Sequence, residues 1–168
     1  YEMVTTNCLT GKACYYEEKN NPQRIIDIVR ASSSLPFVCP IAYVDGIPML
    51  DGGITDSIPL LRAQNEGFTE NNVVVLTRNR GYRKQIKGTK VPPFIYRKYP
   101  LLREAINNRS KLYNEQLDLV ERLEDEGRIT VIRPQRPIEV DRIEKNIDKL
   151  TALYEEGYQL ADGIRFEL

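Results

Sequence analysis

Short apolar runs alternate with longer stretches of helical periodicity from one end of this 168-residue chain to the other. That alternation constrains the fold more than any single motif. Residues 1–8 carry β-branched residues in loose alternation, Thr10-Gly11-Lys12 reads as a turn, and 13–17 as the returning strand of a hairpin. Asn20-Asn21-Pro22 opens a helix whose apolar residues are Ile25, Ile26, Ile28 and Val29, and which ends near Ser32–Ser34. Ile41–Val44 and Ile47–Leu50 flank Asp45-Gly46, a strong hairpin signal. Asp56-Ser57 is a helix start with Pro59 in its first turn, closed by Gly67. Residues 72–77, with an unbroken apolar run at Val73–Leu76, are expected to be a strand buried on both faces.

A long helix is predicted from Tyr99-Pro100 to Gly127, with Leu102, Ala105, Ile106, Leu112, Tyr113, Leu117, Val120 and Leu123 on one stripe. Residues 129–132 form a last strand. A final helix spans about 141–162, with Ile143, Ile147, Leu150, Tyr154 and Ala161 on one side. The predicted order, ββαββαβαβα, argues for an α/β layered fold with a mainly parallel sheet.

Composition removes several functions. Basic and acidic residues balance at 24 each, which gives no electrostatic case for nucleic-acid binding. With no histidine, the chain alone holds no Ser-His-Asp triad, Cys-His dyad or histidine-ligated metal. Cys8, Cys14 and Cys39 form no C-x-x-C and read as free thiols in a reducing, cytoplasmic setting. Cys39 is expected to be buried and inert. No apolar run reaches the length of a membrane span, no leader pattern is present, and no metal or cofactor is suggested.

Asp51-Gly52-Gly53 is the leading candidate site. A carboxylate closing a strand lies where open α/β sheets hold ligands, and glycines there permit positive φ or close backbone approach. On its own the motif reads more readily as a tight turn in which Asp51 caps backbone N–H groups. Its setting adds weight. Ala31-Ser32-Ser33-Ser34-Leu35-Pro36, Pro40, the Val44-Asp45-Gly46 hairpin and Leu50-Asp51-Gly52-Gly53-Ile54-Thr55-Asp56-Ser57-Ile58-Pro59 together resemble the patatin-like phospholipase family of bacterial type. Thr5-Thr6-Asn7 with Thr10-Gly11, Leu76-Thr77-Arg78, Tyr99-Pro100 and Leu153–Tyr158 extend the resemblance toward both ends.

The resemblance implies an α/β fold: a three-layer patatin-like sheet flanked by helices, present as a partial domain over 1–98, with a helical C-terminal extension over 99–168. It implies a serine–aspartate dyad cleaving acyl esters of lipids, with Asp51 as the catalytic base and Gly52 and Gly53 shaping its turn. Asp56 and Ser57 are read as structural. The family's G-x-S-x-G nucleophile and Gly-rich oxyanion loop are missing from these residues, and Ser32, Ser33 and Ser34 lack the flanking glycines to replace them. The chain is therefore expected to be the C-terminal part of a longer protein, inactive alone and needing the missing half or self-association. The alternative is a non-catalytic scaffold, or a module binding a membrane or partner.

Nine Lys or Arg and no acid lie between Arg78 and Arg103, whereas residues 115–126 carry six acids. One reading is peripheral membrane contact through Arg78, Arg80, Arg83, Lys84 and Lys87. The other is a solvated loop neutralised by the acidic helix. Tyr15, Tyr16, Tyr96, Tyr99, Tyr113, Tyr154 and Tyr158 could line an acyl pocket or a lipid interface, but those on the stripes of the two long helices are expected in the core.

Overall fold

The computed structural model describes residues 1–86, 90–141 and 143–162. The elements are β1 (Glu2–Asn7), β2 (Ala13–Glu17), α1 (Pro22–Ser32), β3 (Ala42–Val44), β4 (Ile47–Asp51), α2 (Leu60–Asn65), β5 (Asn72–Val75), α3 (Pro100–Asp125), β6 (Ile129–Ile132) and α4 (Ile147–Asp162). Their order is the one expected, and the architecture is mixed α/β. Two compact units form: Tyr1–Pro59 with Lys84–Leu117, and Leu60–Arg83 with the chain from Asp118 onward.

The first unit holds a four-stranded sheet in the order β2-β1-β4-β3, with every neighbour antiparallel. This corrects the expected mainly parallel sheet. The reason lies in the hairpins: Asp45 and Gly46, at φ 51° and 76°, reverse the chain between β3 and β4 in two residues, and parallel neighbours need a much longer crossover. β1 then pairs with β4 through Thr5↔Asp51, Thr6↔Leu50 and Asn7↔Met49, which brings the middle of the sheet to the candidate site.

α1 starts as expected. The Asn21 side chain accepts from the Arg24 N–H at 3.1 Å, and Pro22 occupies the first turn. Ile28 and Ala31 are buried against Met3, Ala42, Val44 and Met49, whereas Ile26 and Val29 are exposed. At 100° per residue, four apolar side chains crowded into five positions cannot all face one sheet. A second cluster joins Cys8, Leu50, Ile54 and Leu102, with Tyr96 and Tyr99 packed on it.

In the second unit β5 and β6 pair in parallel, from Asn72↔Ile129 to Val75↔Ile132. Val74 is buried, but Val73 and Val75 are exposed, so β5 is covered on one face rather than both. The buried line on α3 follows its predicted stripe at Leu102, Leu117, Val120 and Leu123. α4 begins six residues later than predicted and buries none of its residues. Ile147, Leu150, Tyr154 and Tyr158 are exposed, and Tyr113 is only partly buried, so none of these tyrosines is a core residue.

Candidate functional site

Asp51 is the last residue of β4, and its main chain is held from two sides. Its N–H donates to the Ser34 carbonyl at 2.9 Å, and its carbonyl accepts from the Thr6 hydroxyl at 2.8 Å. Thr6 is fully buried and also shares a 2.8 Å hydrogen bond with the Thr55 hydroxyl. The Asp51 carboxylate, half-buried, accepts from the Gly53 N–H through Oδ1 at 2.7 Å. Among the described residues Oδ2 has no hydrogen-bond partner, and the carboxylate makes no ion pair.

The two glycines serve the turn through space. Neither adopts positive φ. A Cβ on buried Gly52 would press on the Val4 carbonyl, 2.6 Å from its carbon, so only a hydrogen lets the 3-10 turn of Gly52–Ile54 lie against β1. A Cβ on Gly53 would stand 2.9 Å from Asp51 Oδ1.

The following loop is clamped by α3. Arg109 donates from Nε to the Gly53 carbonyl at 2.7 Å, and the Ser57 hydroxyl donates to the same oxygen at 2.8 Å. The Gln116 amide donates to Asp56 Oδ1 at 2.6 Å and accepts from the Ile58 N–H at 3.2 Å. Tyr15 donates to Asp56 Oδ2 at 2.6 Å. Asp56 and Ser57 thus close the loop, and the helix expected to start there begins instead at Leu60. Sequence reasoning missed Arg109 and Gln116. The signal was present: Leu102, Arg109, Gln116 and Leu123 recur every seven residues, placing two polar side chains in line with two buried leucines.

The serines near the site are engaged elsewhere. Ser33 and Ser34 donate to the carbonyls of Val29 and Arg30, at 2.7 and 2.8 Å. Cys39 is partly exposed rather than buried; Cys8 is the buried thiol, its pKa pushed up to about 12 by burial. Among the described residues no acidic and thiol groups converge as metal ligands do.

In the second unit much of the basic stretch is neutralised. Arg80 pairs with Glu124 at 3.2 Å and Asp125 at 2.7 Å, and Arg83 with Asp118 at 2.6 Å and Glu121 at 2.7 Å. Arg133 pairs with Glu121 at 3.6 Å and with Glu124. The hydrogen bonds from Arg83, aided by the Gly81 N–H, hold Glu121 down to about 2. Arg78 stacks over Tyr82 at 5.1 Å. In the first unit Lys84 lies 3.5 Å from the centre of the Tyr113 ring. Lys87 lies outside the described residues.

Residues 13–63, which include Asp51, Gly52 and Gly53, match the family model of patatin-like phospholipase. Residues 99–164 match a domain of unknown function, DUF6363. No curated protein matches the chain. The resemblance read from the D-G-G segment is thus borne out over residues 13–63, the part of the chain that is similar to the patatin-like phospholipase model. No helix of the described residues is long and apolar enough to cross a membrane.

Proposed function

We propose that this chain supplies the aspartate of a serine–aspartate hydrolase that cleaves acyl esters of lipids. Asp51 Oδ2 takes the proton of a serine hydroxyl provided by a patatin-like G-x-S-x-G segment outside these residues. The serine oxygen bonds to the ester carbonyl carbon, the alcohol leaves carrying that proton, and water then cleaves the acyl-serine with Asp51 again as base. The observation that supports this reading is the asymmetry of the carboxylate: Oδ1 bound to the Gly53 N–H, Oδ2 without a partner among the described residues, on a main chain held by Ser34 and Thr6.

The chain alone, with no nucleophile in it, is accordingly inactive toward acyl esters. The test is fluorophosphonate labelling of the complete protein, compared with Asp51→Asn. Loss of labelling in the variant supports the proposal, and equal labelling removes Asp51 as activator. A second reading is a non-catalytic patatin-like scaffold or binding module, favoured by the missing G-x-S-x-G in these residues. Failure of the intact protein to label, with no serine in that setting, establishes it.

A further inference from the structure

The first unit carries a projecting face that the reaction does not use. In the loop after α1, Phe37 has φ 69°, a left-handed conformation that bulky residues rarely adopt. It is held there by Tyr96, whose hydroxyl accepts from the Phe37 N–H at 2.9 Å and whose ring lies 5.7 Å from the Phe37 ring. The bond joins the 35–40 loop to the segment 90–99. Behind the junction, Tyr96 and Tyr99 pack on the cluster containing Leu50, the residue before Asp51. In front of it, Phe37 is 58%, Val38 78% and Phe94 77% exposed.

The charge on the two loops is positive, although Glu104 of α3 lines the same groove as Lys90. Lys90, Arg97 and Lys98 are exposed, and none has an ion-pair partner among the described residues. Neither 28–44 nor 71–103 contains an acid. This separates them from Arg80 and Arg83, whose charge is committed to carboxylates in the second unit.

We propose that this face docks on an anionic phospholipid surface. Phe37, Val38 and Phe94 enter the boundary between headgroups and acyl chains, where aromatic and apolar residues gain most, and Lys90, Arg97 and Lys98 meet the lipid phosphates. Exposed apolar side chains on two joined, proline-containing loops, one of which also carries unpaired cations, suit a fluid anionic surface better than a flat protein partner. The proposal deepens the acyl-hydrolase reading and rests on it only for its purpose, which is to bring lipid to the Asp51 side of the sheet.

The test needs no turnover, so its failure is distinct from a failure of Asp51 as base. The complete protein is sedimented with phosphatidylcholine vesicles, with and without phosphatidylserine. Binding that needs phosphatidylserine and falls with salt is expected. Val38→Ser with Phe94→Ser, or Arg97→Gln with Lys98→Gln, lowers it about tenfold or more, since each basic residue at the surface counts about fivefold. Lys111→Gln with Lys149→Gln, a charge-matched change elsewhere, leaves it intact. No sedimentation with anionic vesicles overturns the proposal. So does equal loss in the control pair, or a self-association abolished by Val38→Ser with Phe94→Ser in place of vesicle binding.

Discussion

Arg109 Nε donates to the Gly53 carbonyl across 2.7 Å, tying α3 to the turn that follows Asp51. The bond joins the two segments that match separate families, 99–164 and 13–63. Arg109→Ala leaves that carbonyl with the Ser57 hydroxyl alone. A loss of about 1–2 kcal/mol in stability is expected, the range for a hydrogen bond from a charged donor near the surface. Urea unfolding measures it. Arg109→Lys, lacking a planar Nε–H, is expected to recover less than half.

Gly52→Ala and Gly53→Ala separate stability from carboxylate placement. The first puts a methyl group against the Val4 carbonyl on the neighbouring strand and is expected to cost about 3 kcal/mol, the upper range for overpacking. The second crowds the Asp51 side chain at 2.9 Å, with Ser57 and Arg109 at ordinary contact distances of 3.5 and 3.6 Å, and is expected to cost about 1 kcal/mol while breaking the Oδ1 bond. Denaturant midpoints and the Gly53 amide resonance distinguish the two.

Acid is expected to loosen both units at carboxylates held low. Glu18, bound by the Asn20 N–H, the Arg24 side chain and the Asn21 N–H, has its pKa lowered to about 2. Glu121 is lowered to the same region, first by Arg83. A carboxylate depressed in the folded state stabilises fully above its unfolded value of 4.5, and the contribution fades as pH falls from there toward 2. Carboxyl NMR titration should show both midpoints near 2, and Arg83→Gln should move Glu121 toward 4.5 while leaving Glu18 in place.

The three thiols are expected to react in two classes. Cys8 is fully buried, and burial pushes its pKa up to about 12, so at pH 8 it carries almost no thiolate. A maleimide added to the native protein should label Cys14 and Cys39 and spare Cys8; all three should react in denaturant. Mass spectrometry reads the result. Labelling of Cys8 at the rate of the other two contradicts its burial.

Local chemistry explains what was legible beforehand. The Asn21-Pro22 start, the Asp45-Gly46 turn and Gly127 after α3 each act within a few residues. The patatin-like segment was legible because its motifs lie close together, from Ala31 to Pro59. The line Leu102, Arg109, Gln116, Leu123 was equally visible as spacing, yet nothing local says that its polar members reach Gly53, Asp56 and Ile58.

The sequence by itself determined the order of strands and helices and the D-G-G turn at the end of β4, since hydrophobic period, caps and turn residues act over short range. Only the tertiary structure decided that the main sheet is antiparallel, that α4 fully buries none of its residues, and that Arg80 and Arg83 meet carboxylates on α3. It also decided that one oxygen of Asp51 has no partner among the described residues. Each of these depends on which distant segments come within hydrogen-bonding or packing distance. That is a property of the whole folded chain rather than of any stretch of it.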